Sequence, residues 1–173
     1  RFLFFNASAI GPFLPRFIPP QLPWFELFTH PLQHGTKLVG STINYLPSDP
    51  HRSPHIQTYA WATDRTGVRL LLDRKIFHPV TSVKQEIIAG HELGASKVML
   101  ESGHPLFAFQ LSESVNSKVS NKEVLNDDPL FEGCYYGGSV NPLETMFIKS
   151  TRLSNVHVQN YKKWVDGVFI PYP

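Results

Sequence analysis

The chain has 173 residues, 42% of them hydrophobic, with 16 Lys and Arg against 14 Asp and Glu. That is apolar enough for one packed domain rather than a disordered chain, and the near-balanced, scattered charge offers no basic stripe for nucleic acid. A single cysteine, Cys134, excludes an internal disulfide and a multi-cysteine zinc site, and no apolar run approaches the roughly 20 residues of a membrane-spanning helix.

Phe2 to Phe5 is a continuous apolar run, as in a strand covered on both faces. It follows Arg1 at once, as if the chain were entered inside a buried strand. That suggests a missing upstream region, a processed mature start being the alternative. Asn6-Ala7-Ser8 closes the strand. Gly11-Pro12 opens a stretch with Pro15, Pro19, Pro20 and Pro23, which excludes regular helix and central strand. Its aromatics (Phe13, Phe17, Trp24, Phe25) predict a loop packed on the body, ending in a short helix around Trp24 to Thr29.

A strand follows over Leu38 to Asn44, bent at Gly40, and a second over His55 to Thr63. In the second, Ile56, Thr58, Ala60 and Ala62 alternate against His55, Gln57, Tyr59 and Trp61. Thr66 to Leu72 has helical spacing. Ser82-Val83-Lys84-Gln85 has the form of a capping box, so a helix should begin there. Helical spacing resumes from about Glu92 to Ser102, with Gly103 at the left-handed cap position and Pro105 blocking continuation. Residues 112–129 read as a polar surface loop and Gly133 to Asn141 as turns. Thr145 to Lys149 reads as a short strand, and Val156, Tyr161, Trp164 and Val165 as a last helix stopped by Gly167.

Familiar catalytic motifs fail. His91-Glu92 begins like a zinc-protease H-E-x-x-H, but its fifth position is Ala95. There is no G-x-S-x-G elbow, no P-loop and no G-x-G-x-x-G. His30 and His34 are four apart, but Pro31 between them is expected to interrupt any helix, so no histidine pair predicts a metal site.

Several segments together resemble one family. Phe2-Leu3-Phe4-Phe5-Asn6-Ala7-Ser8 followed by Gly11-Pro12-Phe13-Leu14 is similar to the strand, Asn-Asp-Ser and Gly-Pro-Phe stretch of glycosyltransferases related to rhamnan-synthesis protein F. Lys37 to Asn44 resembles their next strand, and His55-Ile56-Gln57-Thr58-Tyr59 with Ala62-Thr63-Asp64-Arg65 their His-x-Gln-Ser segment. Glu92 through Gly103-His104 is similar to a helix ending in Gly-Tyr. Tyr136-Gly137, Pro142-Leu143-Glu144 and Phe147-Ile148-Lys149 resemble the closing motif. The likeness runs nearly the whole chain in order.

The resemblance implies an α/β chain, a partial GT-A-like mixed sheet flanked by helices. Residues 1–173 would form one domain, the acceptor-side part, with the nucleotide-binding half upstream. It implies inverting transfer of a hexosyl- or deoxyhexosyl-type sugar from a nucleotide-sugar to a glycan acceptor. The strand ending at Asn6 would lie at the donor diphosphate, with Ser8 beside it, and Glu92, opening its helix, would be the base that takes the acceptor proton. A divalent ion (Mn or Mg) commonly serves the diphosphate in such enzymes, but Asn6-Ala7-Ser8 lacks the aspartate of related sequences, and Asn141 precedes Pro142 where relatives carry histidine. No metal ligand is therefore assigned, and a non-catalytic carbohydrate-binding or scaffolding relative is the alternative. Arg65 and Lys149 are candidate cations for a metal-independent diphosphate site. From the strand itself, His55 and Gln57 are donors suited to sugar hydroxyls, and Tyr59 and Trp61 could stack on a sugar ring, completing a candidate acceptor face. Asp64-Arg65 reads as a local ion pair near a turn.

Overall fold

The computed structural model describes residues 1–45, 54–110, 113–115, 128–135, 137–152 and 156–165. Its centre is a mixed five-stranded sheet in the order β1 (Phe2–Phe5), β6 (Ala60–Thr63), β3 (Leu38–Gly40), β7 (Leu106–Ala108), β8 (Glu113–Val115). All neighbours are antiparallel except β3 and β7, which run parallel with Val39 opposite Phe107. Side chains alternate across the sheet as the pleat requires. Leu38, Trp61, Leu106 and Ala108 join one buried cluster; Val39, Ala60 and Ala62 join the other. The first cluster is closed by α2 (Arg65–Asp73) through Leu71 and by α4 (Gly94–Glu101) through Ala95 and Met99. The second is closed by an aromatic layer in which Phe28 stands 5.2 Å from Phe109 and 5.4 Å from Phe147. No helix among the described residues is long and apolar enough to cross a membrane.

The two long strands expected over Leu38–Asn44 and His55–Thr63 are each broken. Their outer ends, β4 (Ile43–Asn44) and β5 (His55–Ile56), pair as a separate ribbon with Ile43 opposite Ile56. The bend sits where Gly40 lies against Ile56 so closely that a Cβ on Gly40 would collide with Ile56 Cγ2. A turn at Thr58–Tyr59 interrupts the second strand. β1 also departs from expectation: it lies at the sheet's edge, and Phe2, Phe4 and Phe5 are 43%, 39% and 43% exposed rather than covered on both faces. Phe4 stacks on Trp61 at 4.2 Å and Phe5 tilts against Phe147 at 4.9 Å, so each ring is partly covered.

The proline-rich loop packs as expected, with Phe13 buried and its N–H bonded to Met146 O at 2.8 Å. It leads into α1 (Trp24–Thr29), which continues as a 3-10 turn over His30–His34. Pro31 does not interrupt this turn. It occupies the first turn, where a missing N–H costs nothing. Between Lys84 and Glu101 the helix is continuous but uneven. It begins as α3 (Lys84–Glu86), widens to π geometry over Ile87–Leu93 and ends as α4. Its start is held by Thr81 rather than by the Ser82/Gln85 box: Thr81 Oγ1 accepts from Val83 N at 3.1 Å and donates to Glu86 at 2.6 Å. Its end is the left-handed cap expected at Gly103 (φ 78°), with Gly103 N bonding Leu100 O and His104 N bonding Met99 O.

Asp64 does not pair locally with Arg65. It caps α2 through Gly67 N at 3.0 Å and binds Lys37 Nζ at 2.6 Å. The strand expected over Thr145–Lys149 is shorter: Pro142–Thr145 forms α5, capped by Asn141, and β9 (Ile148–Lys149) pairs with β2 (Ala9–Ile10). The last helix, α6, spans Val156–Val165; its expected stop at Gly167 lies outside the described residues, as does Tyr136 and most of the loop read over 112–129.

Candidate functional site

β1 and β6 are antiparallel, so the end of β1 lies beside the start of β6. Asn6 N extends this ladder to Tyr59 O at 3.1 Å. At this corner a cleft of about 210 Å³ opens. Phe4, Trp61 and Phe77 form its aromatic wall, and Asn6, Thr58 and His91 supply its polar edge. The His91 ring meets Phe77 edge-on at 6.1 Å. The volume lies below the roughly 300–1,000 Å³ of drug-sized pockets, which suits a single ring.

Glu92 stands behind Thr58. Its Oε2 accepts from Thr58 N at 2.7 Å and from Thr58 Oγ1 at 2.8 Å. Oε1 lies 3.9 Å from His55 Nε2, with the Glu92 side chain 14% exposed. One turn along the same helix, Ser96 Oγ accepts from Ile56 N at 2.9 Å. Four helical residues rise about 6 Å and two strand residues about 6.6 Å, so this pair spaced 92 and 96 matches backbone N–H groups spaced 58 and 56.

Of the expected site residues, Asn6 and Trp61 line the cleft, Ser8 is bonded to Asn6, and Glu92, held on Thr58, stands with His55 behind the cleft. Gln57 and Tyr59 do not join them. Gln57 is buried and turned away, its Oε1 accepting from Thr42 at 2.7 Å and its Nε2 donating to Asp128 at 3.1 Å. Tyr59 is fully buried; its hydroxyl donates to Phe147 O at 3.0 Å and lies 3.1 Å from Thr42 Oγ1. Burial pushes its phenol well above the ordinary value. The turn at Thr58–Tyr59 resets the strand's phase. It sends Tyr59 into the aromatic layer and Trp61 to the helical side, so the open face expected from His55, Gln57, Tyr59 and Trp61 does not form. Trp61 keeps one side on the cleft. Ser8 folds back, its N and Oγ donating to Asn6 Oδ1 at 2.9 and 2.5 Å. Lys149 lies 5.5 Å over the Tyr59 ring.

The Asn6 oxygen is thus spent on Ser8, and among the described residues no three His, Cys, Asp or Glu side chains stand together as ion ligands. This donor set does not fit a hard divalent cation, which favours several charged oxygens. Sequence reasoning missed Thr58, Phe77 and His91 as members of the corner. Only His91 carried a signal, its position beside Glu92 at a helix. The chain matches no protein-family model, no curated protein and no solved structure.

Proposed function

We propose that this chain carries the acceptor-side part of an inverting, GT-A-type sugar-nucleotide glycosyltransferase. The observation that supports it most is an aromatic-walled cleft sized for one ring, lined by Asn6 and Thr58, with Glu92 bound to Thr58 behind it. The colinear resemblance of the chain to the rhamnan-synthesis protein F-like enzymes supports it independently. In this reading the acceptor sugar ring lies against the aromatic wall. Glu92 Oε1 takes the proton of the attacking hydroxyl while Thr58 fixes Oε2. The acceptor oxygen bonds to the anomeric carbon as the bond from that carbon to the donor diphosphate breaks, and the diphosphate leaves with the electron pair.

The test is a screen of nucleotide-sugars and glycan acceptors with the full-length protein that contains this part, then the same assay on its Glu92→Gln variant. Loss of a general base costs roughly 10²–10⁴-fold in turnover, so Glu92→Gln should fall by that factor with donor affinity little changed. Equal turnover removes Glu92 as the base and points to His91, whose His91→Gln variant is the comparison. Binding of neither nucleotide-sugar nor glycan overturns the reading altogether. The second reading, a carbohydrate-binding relative without catalysis, is favoured by the engagement of Asn6 Oδ1 with Ser8 where a free carboxylate is expected. Glycan binding without turnover on any donor would support it.

A further inference from the structure

The 3-10 turn that follows α1 brings together two histidines on the surface. Both His30 and His34 are exposed, and their Nε2 atoms lie 3.3 Å apart. The ring centroids are 5.0 Å apart and the planes are inclined at 64°. Without an ion, one imidazole N–H can donate to the other ring's nitrogen at this distance, the roles depending on the tautomers. Two imidazole nitrogens that share one tetrahedral zinc, at about 2.0–2.1 Å each, stand about 3.3–3.4 Å apart. Extending those two bonds back to the ring centres separates the centroids by about 5.2 Å. Two rings meeting head-on at the observed nitrogen separation would hold their centroids farther apart than 5.0 Å. The rings are therefore inclined to one another rather than collinear, and their nitrogens stand at the separation that two ligands of one tetrahedral ion hold. A right-angled, square-planar bite would need about 2.9 Å at the same bond length.

We propose that His30 and His34 form a two-histidine site for a tetrahedral transition ion of the zinc type. Imidazole nitrogen is a favoured ligand for such ions, whereas magnesium and calcium prefer oxygen. The backbone supplies the bite: Pro31 starts the turn, and Gly35, at φ 89°, ends it just past His34. No third His, Cys, Asp or Glu joins the pair among the described residues, so water fills the other two positions and the ion exchanges freely. Seated there, the ion would brace the end of α1, the helix that inserts Phe28 into the aromatic layer. The proposal stands apart from the glycosyltransferase reading and uses none of its residues.

The experiment is titration of the metal-free chain with zinc chloride by calorimetry at neutral pH, on wild type, His30→Ala, His34→Ala and the double variant. Thermal unfolding is recorded with and without zinc, and magnesium chloride serves as the control. Wild type should bind one zinc at this site and gain thermal stability by mass action. Each single variant should lose about 10²-fold or more in affinity, the gain that comes from holding two ligands at one bite. Magnesium should produce neither effect. Because both rings are exposed, the variants should unfold at the wild-type temperature without zinc, which separates lost binding from lost folding. Zinc binding that survives unchanged in the double variant, or no zinc binding by wild type, overturns the proposal.

Discussion

Asp64 ties the start of α2 to the strand edge at Lys37, and replacing it should destabilise the chain in two separable steps. Asp64→Ala removes an N-cap, worth about 0.5–2 kcal/mol, and the contact to Lys37. Both partners of that contact are partly exposed, so screening leaves it about 0.5–1 kcal/mol. The sum is about 2 kcal/mol; at about 2–4 °C per kcal/mol for a chain of this size, thermal unfolding should fall by about 4–8 °C. Asp64→Asn keeps a capping oxygen and loses only the charge, so it should fall by about 1–4 °C. Partial burial pushes the Asp64 carboxyl up, but the hydrogen bonds from Lys37 and Gly67 and the Lys37 charge outweigh it and hold the group below its ordinary value. The folded state therefore binds this proton less readily than the unfolded one. The charge contribution is fully present above the ordinary carboxylate range and is lost as pH falls through the folded value. Thermal unfolding followed by circular dichroism from neutral pH into acid should show the gap between wild type and Asp64→Asn closing on acidification. Equal unfolding temperatures for the Ala and Asn variants would refute the cap, and a gap that persists in strong acid would refute the ion pair.

Two further substitutions test the packing around the candidate site. Tyr59→Phe leaves Phe147 O without its donor inside the aromatic layer and should cost about 1–3 kcal/mol in urea unfolding; a neutral result would mean that the carbonyl finds another partner. Gly40→Ala drives a methyl into Ile56 and should cost about 1–3 kcal/mol, part of it recovered when Ile56→Val is added; additive losses in the double variant would show that the contact is not the cause.

Local patterns carried much of this fold. The apolar run at Phe2–Phe5, the helix at Trp24–Thr29, the glycine cap at Gly103 and the helical spacing after Val156 all depend on neighbours a few residues apart, and all four stand where periodicity puts them. What failed to show depends on distance in sequence. Asp64 pairs with Lys37, 27 residues away, instead of with its neighbour. The exposure of Phe2, Phe4 and Phe5 follows from β1 lying at an edge, and a strand's own residues do not say whether another strand lies beside it. Alternation along His55–Trp61 predicted one open face, but a single turn at Thr58–Tyr59 shifts the phase and buries Tyr59. Within the candidate site, Asn6 and Glu92 were singled out through the family resemblance, whereas Thr58, which binds Glu92 and lines the cleft with Asn6, was an ordinary strand residue until the fold placed it.

The grip of the helix on the β5 segment is asymmetric. Glu92 and Ser96 contribute side chains, while Ile56 and Thr58 contribute backbone N–H groups that every residue except proline possesses. Exchanging Ile56 for another apolar residue leaves the attachment intact, and exchanging Thr58 removes only its hydroxyl's share. For this attachment alone, drift on the strand is cheap and drift on the helix is not. The burden of keeping this corner in place falls on two helical positions, and proline is the one residue that would break the attachment from the strand side.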